Sequence, residues 1–123
     1  MDSCTDAIAR FCRDQGVVLT HPQETFQRLE LSQIGVLQFE RQAGQLTLWL
    51  TFTVHGTLFE RALSSALRHV HDHQAPGQLL RCGLLPDDCL ALLVSLDERR
   101  VTEQLLHEAY RLLSWVRAEV LTA

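Results

Sequence analysis

One segment constrains the fold of this chain more than any other. Between Leu46 and Val54, every second side chain is a large apolar one: Leu46, Leu48, Leu50, Phe52 and Val54. A period of two over nine residues is typical of a β-strand with one buried face, because a helix would scatter these side chains around its surface. The segment therefore predicts a strand in a sheet that buries one of its faces.

Further strands are predicted on both sides of this one. Two short alternating segments precede it, with Leu29 and Leu31 in the first and Leu37 and Phe39 in the second. A turn at Ala43-Gly44 separates the second segment from the long strand. After it, two apolar runs at 79–85 and 90–96 flank Pro86-Asp87-Asp88, a pattern that predicts a hairpin. Short connections of this kind favour antiparallel pairing.

Helices are predicted near both ends of the chain. The first runs from Ser3 to about Gln15, and Gly16 supplies its C-terminal stop. The last begins at Thr102, which caps it, and runs to about Leu121. Its buried stripe is predicted from the residues at helical spacing, namely Leu105, Ala109, Leu112, Leu113, Val116 and Val120.

A middle helix completes the pattern. A capping box at Thr57–Glu60 predicts its start, it runs to about His73, and Pro76-Gly77 ends it. The order helix, three strands, helix, two strands, helix predicts an α+β fold with an antiparallel sheet. At 123 residues the chain is predicted to be a single domain spanning 1–123.

The middle helix also predicts how the chain assembles. Its apolar residues lie on one broad arc, in which small alanines would let another element approach closely. The arc is typical of a core helix, but it also fits a subunit seam around Ala62 and Ala66. We predict a dimer whose interface is formed by Phe59, Ala62, Leu63, Ala66, Leu67, Val70 and Leu79.

Several kinds of chemistry are excluded by what the sequence lacks. All eleven basic residues are arginine, so neither a P-loop lysine nor a Schiff-base lysine is available. The sequence contains no G-x-S-x-G nucleophile motif and no glycine-rich phosphate loop. We therefore predict no catalytic residues, no cofactor, no turnover and no requirement for ATP. The net charge of −4 argues against nucleic acid as a partner.

Location and cysteine chemistry follow from similar arguments. The opening residues, MDSCTDAIARFC, lack the apolar core of a signal peptide, and no run of about 18 apolar residues predicts a transmembrane segment. A cytoplasmic location is predicted. Cys4, Cys12, Cys82 and Cys89 form no C-x-x-C pair, so we interpret all four as small core hydrophobes.

Three histidines, His69, His71 and His73, stand near the predicted end of the middle helix. His69 and His73 could share a face, but no acidic third ligand lies on that face at helical spacing. Imidazoles near a helix C-terminus are favourable without any metal. No metal site is predicted, and the role of the three histidines stays open.

Two tryptophans fall outside the predicted apolar faces. Trp49 lies opposite the leucines of the long strand, and Trp115 lies outside the stripe of the last helix. Single exposed aromatic residues are common. Two in so small a chain favour a binding surface, because tryptophan is enriched at interaction hot spots.

Five segments spread over nearly the whole sequence carry a family resemblance: FCRDQGV at 11–17, LELSQIGVLQFE at 29–40, LTLWL at 46–50, LLVSLDER at 92–99 and LLHEAYRLL at 105–113. In their number and order the sequence resembles the class I type III secretion chaperones, and within them the SycN-like branch. The resemblance implies a compact dimer that wraps the N-terminal region of one secreted protein. It also implies pairing with a second, related chaperone and a client of the YopN-like gatekeeper family.

The resemblance and the residue patterns together suggest how a client would bind. Its extended segment would add a strand to an exposed sheet edge and place apolar side chains in grooves. We expect the client contacts at Ile8, Phe11, Leu37, Phe39 and Trp49. The location would be cytoplasmic, with peripheral placement at the inner membrane near the secretion apparatus as a further option. The alternatives are a homodimeric scaffold or regulatory domain without a secretion client, and an enzyme of unrecognised type.

Overall fold

Five strands form one antiparallel sheet in the computed structural model, which describes residues 2–73 and 79–123. They are β1 (Phe26–Leu31), β2 (Gly35–Gln42), β3 (Gln45–Thr53), β4 (Leu80–Leu85) and β5 (Cys89–Asp97). Their spatial order is β1-β2-β3-β5-β4, so the strand predicted from its alternation is the middle one and β1 and β4 are the edges.

Three helices accompany the sheet: α1 (Ser3–Asp14), α2 (Phe59–Asp72) and α3 (Glu103–Leu121). Short 3-10 turns at Gly56–Leu58 and Glu98–Arg100 precede α2 and α3. The predicted order of elements and the α+β class are confirmed. Among the described residues, no helix is both long and apolar enough to cross a membrane.

Four signals for helix ends were predicted; three of them lie in the described residues, and two of these three agree with the structure. Gly16 has a φ of +82° just beyond α1, a conformation that favours glycine, and the Thr102 hydroxyl accepts the Leu105 amide at 3.1 Å. The predicted capping box is wrong. The Thr57 hydroxyl bonds His55 Nδ1 inside the 3-10 turn, and α2 begins at Phe59 without a side-chain cap. The predicted stop at Pro76-Gly77 lies outside the described residues.

Both predicted hairpins are present. Gln42 pairs with Gln45 across a two-residue turn in which Ala43 and Gly44 have φ angles of +53° and +80°. Two positive φ angles give a turn whose twist matches that of the strands. The β4–β5 turn contains Pro86, Asp87 and Asp88, and the two aspartates also adopt positive φ.

The core lies between the helices and one face of the sheet. The five apolar side chains that alternate from Leu46 to Val54 are at most 3% exposed and pack with the inward faces of all three helices. Cys4 and Cys12 are buried there, and burial raises the pKa of the Cys12 thiol to about 12. Cys82 is half-buried against this core. Cys89 is half-buried beside Thr53 at the β4–β5 turn, so it is not the core residue predicted.

A polar cluster ties the start of α1 to the sheet. The Arg41 guanidinium on β2 donates to Glu98, and to the Thr5 hydroxyl at 2.6 Å and Asp2 Oδ2 at 3.2 Å. Asp2 is also the α1 N-cap, since its Oδ1 accepts the Thr5 amide at 2.7 Å. The Thr5 amide and hydroxyl, followed by Arg41, hold the pKa of Asp2 at about 2.

Asp2→Ala is expected to destabilise the protein by about 1 kcal/mol at neutral pH, the usual cost of losing an N-cap. Because the folded pKa of Asp2 is depressed, its carboxylate stabilises the fold above the unfolded pKa of about 3.9. That contribution is lost as the pH falls from about 4 to 2. Urea denaturation across this range should show that the free energies of unfolding of Asp2→Ala and wild type become equal at low pH. Asp2→Asn, which keeps the cap, should lose less; equal stability of Asp2→Ala and wild type at pH 7 would contradict this role.

Candidate interaction surfaces

The sheet has one face covered by helices and one face without them. In the described chain, the core cluster under the helices contains the alternate residues of each strand that point toward the helices. Ala91 and Leu93 are 0% and 7% exposed but lie outside that cluster. The strand register places Gln38, Trp49, Leu93 and Arg81 side by side across four strands on the opposite face. This face, defined by that row and its neighbours, is called the open face below.

Trp49 occupies the middle of the open face. Its side chain is half-buried between Gln38 and Leu93, and within the described chain its Nε1 has no hydrogen-bond partner. Beside it, Arg81 donates to the Ser95 hydroxyl at 2.5 Å, and that hydroxyl lies 2.9 Å from Thr47 Oγ1. The indole therefore offers an incoming segment an apolar ring, framed by polar side chains that can bond its backbone.

Of the five predicted client contacts, Trp49 lies outside the core cluster and the other four are buried in it. Ile8, Phe11, Leu37 and Phe39 are at most 2% exposed. The rings of Phe11 and Phe39 meet edge to face with centroids 5.7 Å apart. These side chains hold α1 on the sheet, so the prediction that they contact a client is wrong for this fold. The apolar face of α1 was correctly identified, but it packs against the chain's own core.

A similar correction applies to the alanines of α2. Ala62 and Ala66 are 2% and 0% exposed and belong to the core, where α2 packs beside α3 and β4. Small side chains allow that close packing within the chain, so these two residues do not form a seam. Phe59, Leu63 and Val70 are partly buried against the core, whereas Leu67 and Leu79 are 53% and 46% exposed.

Exposed apolar side chains are concentrated at one side of the molecule. Of the eight large hydrophobic residues that are exposed in the described chain, five lie on β4, on α2 or next to one of them. They are Leu58, Leu67, Leu79, Leu84 and Leu85, and together they are called the apolar edge. β4 is an edge strand of the sheet, and the Leu80 amide at its start already donates to the His73 carbonyl oxygen at 3.1 Å. The edge beyond Leu80 is the part at which another strand could pair.

The sequence reasoning missed Leu84 and Leu85 as exposed apolar residues. Their exposures are 60% and 37%. The sequence did contain a signal, because two adjacent leucines at a strand end cannot both point toward the same face. At least one of them had to point away from the core.

The histidine cluster joins α2 to α3. The rings of His69 and His73 stack with centroids 5.8 Å apart, and both meet the Trp115 ring edge-on, at 5.3 and 5.8 Å. His73 Nδ1 lies 2.9 Å from the His69 carbonyl oxygen, which places it as a hydrogen-bond donor. Trp115 is 49% exposed. Contacts between aromatic rings thus account for His69 and His73, while His71 is exposed on α2.

Comparison with known proteins identifies the family. The family described as "Type III secretory system chaperone SycN" matches residues 4–121. The chain is 39% identical over 114 residues to the chaperone protein SycN of Yersinia enterocolitica and to that of Yersinia pseudotuberculosis, and each match covers 93% of both chains.

Solved structures show the same fold at low sequence identity. The Yersinia pestis chaperone SycH, in complex with a fragment of YscM2, superposes with a TM-score of 0.72 at 16% identity, covering 95% of this chain and 98% of that one. A chain of the heterodimeric ExoU-SpcU complex of Pseudomonas aeruginosa gives 0.66 at 15% identity, covering 94% and 95%. The family match over residues 4–121 and the 39% identity to SycN show that this chain belongs to the SycN family of type III secretion chaperones.

Proposed function

We propose that this chaperone holds the N-terminal region of a secreted gatekeeper or effector protein extended and competent for secretion, and that it does so in the cytoplasm as a heterodimer with a second, related chaperone. The observation that carries the proposal is the match to SycN over nearly the whole chain. A solved structure of the same fold, HopA1-SchA, is a chaperone-effector complex, which supports a secreted client here. The whole chain, 1–123, would act as one non-catalytic domain.

The two edges of the sheet suggest where each of the two partners would bind. The β4 edge carries the leucines of the apolar edge, and we assign it, with the outer side of α2, to the second chaperone. The β1 edge then remains for the client, whose extended segment would pair with the β1 backbone. Phe26, 48% exposed on β1, would pack against that segment.

The open face would supply a second contact for the client. Phe26 and Arg28 share this face with Gln38 and Trp49, because β1 pairs with β2 in the register Phe26–Glu40 and Arg28–Gln38. A client strand added at β1 would thus have a path across the open face to the indole of Trp49. Burial of apolar surface drives such binding at about 25 cal/mol per Å², less the cost of ordering the segment.

Trp49→Ala should weaken client binding at least about thirtyfold, which corresponds to the loss of about 2 kcal/mol usual for a tryptophan hot spot. The fold should survive, because the side chain lies outside the core cluster and is only half-buried. The measurement is a titration of the chaperone assembly with a peptide from the client's N-terminal region, with circular dichroism to check the fold.

Trp115→Ala is the matched control, since it removes the other tryptophan from the helix layer and should leave client affinity unchanged. If the Trp49→Ala variant unfolds, Trp49 is a core residue and not a client contact. If both variants lost the same client affinity, the client would not bind at the open face. Retention of a folded partner, in place of an extended segment, would favour the scaffold alternative.

A further inference from the structure

Three metal-ligating side chains meet where the end of α1 faces the start of α3. Asp14 is the last residue of α1, and Glu103 and His107 lie one turn apart on α3. One donor atom from each lies within 4.8 Å of the other two. His107 Nε2 is 3.1 Å from Asp14 Oδ2. No other three candidate ligands converge in this way among residues 2–73 and 79–123.

The charges at this junction are poorly compensated. Asp14 lies at the C-terminal end of α1, where the helix dipole disfavours a negative group. Within the described part of the chain, no arginine forms an ion pair with Asp14 or Glu103, and the ion-pair partner of Asp14 is the imidazole of His107, charged only when protonated. The dipole of α3 favours Glu103, which lies in its first turn, so Asp14 is the poorly compensated charge, and a cation shared with Glu103 would stabilise it.

The imidazole is held in place by the core. The His107 ring packs against the Phe11 ring with centroids 4.8 Å apart, and Phe11 is fully buried. The Asp14 carboxylate is freer, since its side chain is 52% exposed, and Glu103 is half-buried and has a long side chain without a hydrogen bond in the described chain. A fixed nitrogen ligand beside two adjustable oxygen ligands can adapt to the geometry that an ion demands.

We propose that Asp14, Glu103 and His107 bind a divalent transition-metal ion of the zinc class, with water completing its coordination. An imidazole with carboxylates suits zinc and its neighbours, whereas magnesium and calcium prefer oxygen ligands alone. Ligand atoms around a tetrahedral zinc lie about 3.3 Å apart, given bonds of about 2.0 Å. The Asp14–His107 pair, at 3.1 Å, is already near that spacing, and a Glu103 oxygen lies within 4.8 Å of both donor atoms. The ion would tie the end of α1 to α3.

The test is thermal unfolding of the purified, tag-free protein in chelator and in increasing zinc chloride. Zinc at a hundred times its Kd should raise the folding equilibrium constant about a hundredfold, with a corresponding rise in Tm. Cobalt(II) should give a visible absorption spectrum typical of nitrogen and oxygen ligands. His107→Gln should lose both responses, and Glu103→Gln, for which no hydrogen bond is seen in the described chain, should weaken zinc binding at least tenfold.

His69→Gln/His73→Gln is the matched control, because it removes two histidines elsewhere in the helix layer and should keep the full zinc response. No zinc-dependent rise in the wild type would overturn the proposal. So would a response that survives in His107→Gln, or one that disappears in the His69/His73 double variant. Should His107→Gln fail to fold, an unchanged zinc affinity in Glu103→Gln would be sufficient to reject the site.

Discussion

Ala66→Arg is expected to unfold this chaperone rather than to divide an assembly of folded subunits. Ala66 is fully buried on the side of α2 that faces the core, with Ser65 and Ala62 buried on the same helix. An arginine there must either displace α2 or bury a charge without a partner. An uncompensated buried charge costs about 3–5 kcal/mol, and overpacking adds about 1–3 kcal/mol.

A loss of this size approaches the whole stability of a small domain, which is about 5–15 kcal/mol. Circular dichroism and urea denaturation of the isolated variant should show a largely unfolded or strongly destabilised chain. Leu67→Arg is the matched control: it places the same charge one residue further along α2, where the side chain is 53% exposed. That variant should keep its fold. If the Ala66→Arg protein is folded and monomeric, this result would support the subunit interface around Ala62 and Ala66 that the sequence pattern suggested.

The sequence was sufficient to predict the elements because local patterns determine them. The alternation from Leu46 to Val54 could only be a strand, and Thr102 and Gly16 mark helix ends through interactions with their immediate neighbours. The start of α2 was misplaced because two capping residues competed. His55 accepts the Thr57 amide, and this draws the threonine into a 3-10 turn.

The sites were harder to predict because they depend on which side of an element faces the core. An apolar arc on α2 fits its own core and a partner equally well, and only packing against α3 places Ala62 and Ala66 inside. The same ambiguity explains why Phe11, which is buried in the core, was predicted as a client contact. The junction of Asp14 with His107 joins residues 93 positions apart, and the spacing of Glu103 and His107 was its only local signal.

The second large effect is expected on assembly, because the apolar edge is a candidate dimer interface. Leu84 is 60% exposed on an edge strand, and Leu85, Leu79 and Leu67 extend apolar surface on β4, next to it and on the adjacent α2. Exposed apolar patches of several hundred Å² usually mark an interface, and an edge strand beside such a patch can also pair with a strand of the partner. We therefore expect a dimer built on β4 and the outer side of α2.

Leu84→Arg should convert that dimer to folded monomers, since a charge desolvated at the centre of an interface costs several kcal/mol, or more than a hundredfold in Kd. Val18→Arg is the control: Val18 is 79% exposed between α1 and β1, away from the apolar edge, so this variant should stay dimeric. Light scattering after co-expression with the second chaperone measures both masses. A wild-type monomer, or a Leu84→Arg protein that still dimerises, would rule out this interface. A stable homodimer that ignores the second chaperone would reject only the heterodimer, because a symmetric pair can use the same leucines on both subunits.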